Sequence, residues 1–383
     1  MRYFLTDEQK MIIEICRKIV DERIIPVRAE YDEKMIFPSD IIKEIGRSDL
    51  FRLFAPEKYG GMGTGIFEIC LATEELSRGD LSVATTYAAS GLGFIPIILR
   101  GSEEQKEKYL PVLASGEKLA AFGLTESGAG SDVGAIRTTA AKDGDFYILN
   151  GTKQWITNGG EADIYTIFAK TDPNKGSRGV SALIVEKGTE GFEFGKKENK
   201  LGIRASATRE LIFTDCKVPK ENILSREGTG FITVMRTFDE SRPAVGAQAV
   251  GVAQAAMEEA LNYSKIRSQF GGSISSFQAI QHMLADMATN VEAARSLVYY
   301  TAQVIDSGAK DVSRLSAMSK LFATDMAMKV TTDAVQILGG YGFMKDYPVE
   351  KMMRDAKITQ IYEGTNQIQR NIIALDLIKK GFI

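Results

Sequence analysis

Apolar side chains recur at helical spacing through roughly the first 118 residues. Leu5, Ile12, Ile15, Cys16 and Ile19 follow Thr6-Asp7-Glu8-Gln9, which fits a capping box. Pro26 predicts a break near the end of that helix. Pro38-Ser39-Asp40 opens a second helix, with Ile41, Ile42 and Ile45 on one side and Gly46 near its end. Pro56-Glu57-Lys58-Tyr59-Gly60-Gly61-Met62-Gly63 reads as a loop. Phe67, Leu71, Glu75 and Leu76 mark a third helix, and Ser102-Glu103-Glu104-Gln105 caps another with acid in its first turn.

Beyond residue 118 the period changes. Phe146 to Leu149, Ile164 to Ala169, Val180 to Val185 and Leu211 to Phe213 are short runs of aromatic and β-branched residues. Asp143-Gly144, Asn150-Gly151 and Asn158-Gly159-Gly160 read as the turns between them. Short strands without long helices between them predict a small antiparallel barrel or sandwich. After about residue 226 the pattern is helical again. Gly246, Ala247, Ala249, Gly251, Ala253, Ala255 and Ala256 suit closely packed helices, and 277–305 and 311–338 continue the pattern. The expected architecture is α+β and multidomain. It has an N-terminal helical bundle (1–118), a central β-barrel or sandwich (119–226) and a C-terminal domain resembling a four-helix bundle (227–383).

Composition narrows the chemistry. The 383 residues suit two or three domains, and 47 basic against 50 acidic side chains lack the excess of a nucleic-acid protein. Cys16, Cys70 and Cys216 are too scattered for a disulfide framework or a thiolate zinc site. The single histidine, His282, rules out a two-histidine metal site, and its neighbours Met283 and Leu284 suggest a packing position. The longest near-apolar run, Gly91 to Leu99, contains Pro96 and is short of the roughly 20 residues that cross a bilayer. Met1 to Glu8 turns acidic at once, unlike a signal or transit peptide, so a cytoplasmic setting is expected.

Three segments can carry chemistry. Phe122-Gly123-Leu124-Thr125-Glu126-Ser127-Gly128-Ala129-Gly130-Ser131-Asp132 brings glycines and hydroxyls to the helix–sheet junction, where backbone N–H groups can approach a phosphate or a ring edge. It matches neither a dinucleotide fingerprint nor a Walker loop, and a plain junction loop is the competing reading. Lys153-Gln154-Trp155-Ile156-Thr157-Asn158 holds the only tryptophan, either a flat wall for a planar ligand or a core anchor. In Tyr362-Glu363-Gly364-Thr365, Thr365 caps the helix of Ile368, Ile372 and Leu375, which leaves Glu363 in the turn before it. A turn carboxylate in apolar surroundings makes a general base, whereas a solvated one does nothing. Arg267, ahead of Ser268-Gln269-Phe270-Gly271, can offer a guanidinium to a diphosphate. Asp239 and Arg242, three residues apart, fit a surface helix pair equally well.

Taken together, these residues resemble the acyl-CoA dehydrogenase family over nearly the whole chain. Thr125-Glu126-x-Gly128-Ala129-Gly130-Ser131-Asp132, Trp155-Ile156-Thr157-Asn158-Gly159 and the stretch from Gln336 through Tyr347-Pro348, Arg354-Asp355 and Tyr362-Glu363-Gly364-Thr365 to Ile368-Gln369-Arg370 match its signatures in order. Ser127 departs from the usual proline. The resemblance implies FAD as cofactor, contacted by Phe122, Leu124, Thr125, Gly130 and Ser131, with Trp155, Ile156 and Thr157 beside the flavin ring and Thr365 and Gln367 after the catalytic turn. It places Arg267, Phe270, Gln278, Gln336, Gly339 and Gly340 against the FAD of a neighbouring subunit in a homotetramer built as a dimer of dimers. Asp239, Arg242, Ser131, Tyr362 and Gly364 fall to the acyl-CoA substrate, and Glu363 matches the base. Relatives that carry the base on the earlier helix have it where Ser241 stands here, which leaves Glu363 alone.

The implied reaction is α,β-dehydrogenation of an acyl-CoA thioester to the trans-2-enoyl-CoA, with electron-transferring flavoprotein as acceptor. An oxidase of the same fold and a non-catalytic CoA-ester-binding protein are the alternatives. Peroxide production in air would mark the first, and a colourless protein the second. The acyl end is expected against residues 86–94, where Tyr87 and Phe94 shorten the tunnel and small residues widen it. The absence of an arginine there argues against dicarboxylyl groups, and short, branched or alicyclic acyl groups are the expected substrates.

Overall fold

The computed structural model describes residues 4–381, so the first three residues of the N-terminal stretch and the last two of the chain lie outside it. Six helices come first: α1 (Asp7–Ile19), α2 (Arg28–Lys34), α3 (Ser39–Arg47), α4 (Ile66–Gly79), α5 (Leu81–Arg100) and α6 (Glu103–Ala114). The capping box of α1 is formed, with Gln9 N donating to Thr6 Oγ1 at 3.3 Å and Thr6 N to Gln9 Oε1 at 3.0 Å. The chain widens into one i→i+5 turn over Val20–Ile24 before Pro26. Ser102 caps α6 in the same way.

α5, which carries residues 86–94, is apolar over a longer stretch than the run Gly91 to Leu99 suggested. It runs through Pro96 and is capped by Asp80, whose Oδ1 accepts from Ser82 N at 2.6 Å. Among the described residues it is the one helix long and apolar enough to cross a membrane, yet 72% of that apolar window is buried inside the protein. It packs on α4, on the first strand of the sheet and on the long C-terminal helix, so it is a core helix.

Seven strands form one sheet: β1 (Ala120–Gly123), β2 (Thr139–Asp143), β3 (Phe146–Thr157), β4 (Ile164–Lys170), β5 (Val180–Glu186), β6 (Phe192–Lys197) and β7 (Thr208–Pro219). Their order is β1-β4-β2-β3-β7-β6, with β5 on β4. The expected antiparallel pairing holds for β2–β3, β3–β7, β4–β5 and β6–β7, while β1 lies parallel to β4 and β2 touches β4 in parallel. Asn150-Gly151 is not a turn. It is a bulge within β3: the register against β7 shifts there, and Asn150 exchanges hydrogen bonds with Asp215. Gly151 has φ 141°, and a Cβ on it would lie 2.7 Å from Thr138 Oγ1, which requires glycine without requiring a reversal.

The C-terminal part contains α7 (Gly230–Ile266), α8 (Gln278–Asp306), α9 (Ser313–Leu338), α10 (Val349–Thr359) and α11 (Asn366–Lys380). α7 is the spine, packed on α4, α8 and α9. Its small residues do what the sequence suggested. A Cβ at Gly251 would sit 2.1 Å from the Glu74 carbonyl of α4, so the two helical parts approach backbone to backbone and share one apolar core.

Candidate active site

The turn between α10 and α11 holds Glu363. Thr365 caps α11, its Oγ1 accepting from Ile368 N at 3.3 Å. Both Glu363 (φ 51°) and Gly364 (φ 89°) are left-handed. Glycine adopts that region freely, but a residue with a Cβ pays roughly 1–2 kcal/mol and needs external support. The support is visible. Gln369 Nε2 donates to the carbonyls of Glu363 (3.2 Å) and Gly364 (2.8 Å), Lys320 Nζ of α9 donates to Gly364 O (2.9 Å), and Asn366 N closes onto Gln360 O (3.0 Å). Ser241 Oγ on α7 donates to Glu363 Oε2.

The Glu363 side chain faces a cavity of about 330 Å³, walled by Ala88, Gly91 and Leu92 of α5 and by Ala244 and Val245 of α7. Burial raises the Glu363 pKa above the usual carboxylate range, and Ser241, Arg242 and Lys320 pull part of that back. A carboxylate in this setting is a stronger base than a solvated one.

Tyr87 and Phe94 do not shorten this cavity. Tyr87 is fully buried behind Phe54, which itself lines the cavity; it donates to Leu50 O at 2.9 Å and packs against Phe51 and Phe54, and Phe94 also packs on Phe54. Neither lines the cavity, whose small face is Ala88 and Gly91. Two further carboxylates do line it. Asp306 is engaged, accepting from Ile66 N (2.6 Å) and Phe67 N (2.9 Å) at the start of α4. Glu240 has no hydrogen-bond partner among the described residues; burial, helped by Asp239 and Asp306, pushes its pKa up to about 7.

The Phe122–Asp132 segment leaves β1 beside β3. Gln154 N donates to Thr125 O at 2.8 Å, and the β3 register breaks between Lys153 and Ile156. On that bulge Trp155 takes φ 56° and is 56% exposed, so it is not the core anchor of the sheet. The Leu124 and Ile156 side chains are buried in packed clusters, which leaves only their main chain to face a ligand, and Phe122 packs on Phe168 and Phe238. Thr125 and Thr157 are half-buried, and Gly130, Ser131 and Gln367 are exposed. A Cβ at Gly128 or Gly130 would meet nothing within 4 Å. The chain's own packing therefore does not demand glycine there, and the free space with an exposed indole beside it fits a large planar group carrying phosphates.

Beneath the loop lies a pair that sequence reasoning missed. Lys153 is fully buried, and its Nζ donates to Leu124 O (3.1 Å) and Glu126 Oε1 (2.8 Å). Burial draws the Lys153 pKa down to about 8 despite the pairing, whereas Lys153 and its other donors hold Glu126 low against its own burial.

Arg267, Gly339 and Gly340 meet elsewhere, around a second cavity of about 470 Å³ that shares no lining residue with the first. The Arg267 guanidinium lies 5.4 Å from the Tyr341 ring centre, and a Cβ at Gly339 or Gly340 would again meet open space. Gln278 and Gln336 are exposed outside that lining, and Phe270 is 96% exposed. Asp239 and Arg242 are not a surface pair. Arg242 is buried, bonded to Asp239 Oδ1 at 3.2 Å, and its Nε is left without a partner, an orphan donor suited to an amide or carbonyl ligand. Tyr362 donates to Gln248 Oε1 behind the Glu363 turn. His282 is exposed rather than packed, because its face of α8 points away from the core.

The three acyl-CoA dehydrogenase family models match consecutive parts of the chain: the N-terminal domain over residues 6–117, the middle domain over 121–216 and the C-terminal domain over 228–378. A probable acyl-CoA dehydrogenase of Mycobacterium tuberculosis, FadE25, is 49% identical over 375 residues, which are 98% of this chain and 96% of that protein. Butyryl-CoA dehydrogenase from Megasphaera elsdenii superposes with a TM-score of 0.96 at 46% identity, covering 98% of this chain and 99% of the other. A chain in a structure described as the electron transferring flavoprotein of Acidaminococcus fermentans, studied for flavin-based electron bifurcation, superposes at 0.97 with 49% identity, covering 99% and 100%. Solved structures of this kind include one complexed with FAD.

Proposed function

The chain belongs to the acyl-CoA dehydrogenase family of FAD-dependent oxidoreductases, and from that footing we propose that it converts a short acyl-CoA thioester to the trans-2-enoyl-CoA with Glu363 as the base. The observation that carries this reading is the Glu363 carboxylate itself, held on a left-handed turn, facing an apolar cavity and raised in basicity by burial. Glu363 takes the α-proton as the β-carbon gives up hydride. Bound FAD supplies the acceptor for that hydride. The 124–131 loop with Trp155 and Thr157 would hold the flavin end, while Arg267 and Gly340 would reach the FAD of a neighbouring subunit. Arg242, with Asp239 setting its fork, presents the free Nε to the CoA arm. A positioned base is worth roughly 10²–10⁴ in rate, or about 3–5.5 kcal/mol at about 1.36 kcal/mol per decade.

Short, unbranched to modestly branched acyl groups suit the cavity between Ala88, Gly91 and Leu92. Asp306 on the cavity wall disfavours a carboxylate-tailed substrate, and Glu240 adds to this once it ionises above about pH 7, since like charges in a desolvated space repel strongly. We take the domains as 1–118, 119–226 and 227–383, the assembly as a dimer of dimers and the acceptor as an electron-transferring flavoprotein. The exposed Phe270 and an Ile378 that is 82% exposed support assembly, and the protein named in the structure similar at TM-score 0.97 supports the acceptor. Three buried free cysteines suit a reducing, cytoplasmic setting. Glu363→Gln tests the reading: the purified variant should stay yellow yet lose turnover by about 10² or more. Near-normal turnover would remove Glu363 from the reaction.

A further inference from the structure

Lys320 is a lysine that the reaction as derived above does not use. It sits in the middle of α9, fully buried, with its ammonium aimed at the underside of the Glu363–Gly364 turn. Nζ donates to Gly364 O at 2.9 Å and to Asn366 Oδ1 at 2.8 Å. Asn366 in turn donates to Thr324 Oγ1 (2.9 Å) and Asp325 Oδ1 (2.7 Å), and Asp325 also takes Gln360 Nε2 (2.6 Å) and Arg370 Nη2 (2.7 Å). The bonds run from the surface of α9 and α11 inward to one carbonyl next to the carboxylate.

Burying an ammonium costs several kcal/mol unless something compensates for it. A methionine of similar length would satisfy the packing, so packing alone does not account for the charge. What the charge can act on is Glu363: the two groups interact electrostatically, each favouring the ionised form of the other. We propose that Lys320 is a positioning residue of the proton-abstracting site, clamping the Gly364 carbonyl so that Glu363 keeps its left-handed backbone and holding a positive charge behind the carboxylate. This inference rests on the reading of Glu363 as the base.

The groups that face this pair from each packed element are few. α7 contributes Arg242, which also lowers the Glu363 pKa, with Asp239 and Glu240 beside it. α9 contributes Asp325, α11 contributes Arg370 through Asp325, the turn contributes Tyr362, and the end of α8 contributes Asp306 across the cavity. Burial draws the Lys320 pKa down to about 7 while Glu363 and Asp325 pull it up and Arg242 opposes them, so below about pH 7 the ammonium stands beneath the turn. Removing the positive charge leaves burial less opposed at Glu363. Its pKa then rises further, and the acid limb of the rate profile moves to higher pH.

The test compares Lys320→Met, Lys320→Gln and Lys320→Arg in the FAD-loaded enzyme, with Glu363→Gln alongside. For the Met and Gln variants we expect the acid limb of kcat to move up by one pH unit or more, kcat at pH 7 to fall at least tenfold, and KM to change less than threefold. Lys320→Arg should leave the limb within about 0.3 pH unit of the wild type even if its rate falls. Lys320→Gln keeps a donor for the Gly364 carbonyl, so it reports on the charge even where Lys320→Met fails to fold. An unshifted acid limb in Lys320→Gln, whatever its rate, overturns the inference while Glu363→Gln remains inactive. An active Glu363→Gln overturns the underlying reading instead.

Discussion

Lys153→Met should loosen the 124–130 loop proposed to hold FAD without disturbing Glu363, the proposed base. The wild-type ammonium is fully buried and bonded to Leu124 O and Glu126 Oε1. Removing one member of a buried pair costs about 3–5 kcal/mol because the other charge is stranded. Glu126 is partly sheltered, since it keeps Arg137 N (2.6 Å), Thr138 N (2.9 Å) and Thr138 Oγ1 (2.6 Å) as donors. The lower figure, about 3 kcal/mol, therefore applies. The empty variant can relieve the strain by unlatching residues 124–130, and FAD must then reorder them on binding. The cost reappears as about two decades of affinity, or a Kd raised roughly 100-fold. Fluorescence titration of FAD into the stripped protein, with circular dichroism to verify folding, measures it. Adding Glu126→Gln removes the stranded charge and keeps an acceptor for one of the two amides, which bond different carboxylate oxygens, and should restore at least tenfold. A Kd within threefold of wild type in the single variant, or no recovery in the double, would refute the reasoning.

Two other outcomes follow from the cavity walls. Glu240 holds its proton more tightly when folded than an ordinary glutamate, so its contribution to stability is complete below about pH 4.5 and fades as pH rises through about 7. Discounted for partial solvent contact, the loss is about 1–2 kcal/mol. Urea unfolding of the loaded enzyme should therefore show Glu240→Gln gaining that much over wild type between pH 5 and pH 8, and a gap that does not vary with pH would contradict the burial argument. Ala88→Leu fills the narrow face of the cavity beside Gly91. Each methylene of acyl tail denied its place should cost about 0.8 kcal/mol, near fourfold in kcat/KM. The penalty should grow along a series of straight-chain esters, and a uniform loss at every length would place Ala88 outside the chain-length determinant.

The sequence made local features legible and left long-range ones hidden. The Glu363 turn could be read because its determinants, Gly364 and the Thr365 cap, are its immediate neighbours. The strands rich in aromatic and β-branched residues were readable, but β1, β2 and β6 are short and mixed in composition and carry no clean period. Asn150-Gly151 misled because a bulge and a hairpin demand the same residue types. The face of α5 could not be read because the helix is apolar all round, so Tyr87 and Ala88 looked equally able to meet the substrate. Lys153, Ser241 and Lys320 gave no signal, since their partners lie 27, 122 and 44 residues away in the chain.

The burial of α5 bears on how this protein fails. The helix is long and apolar enough to cross a lipid bilayer, and the wrapping by α4, α6, α7, β1 and β4 keeps most of it from water. A nascent or thermally loosened chain presents this stretch as a sticky, lipid-like surface before the wrapping is complete. Substitutions that weaken the α4–α7 seam at Gly251 should accordingly show up as precipitate and chaperone capture, with little dimmed but soluble enzyme between the intact and the lost.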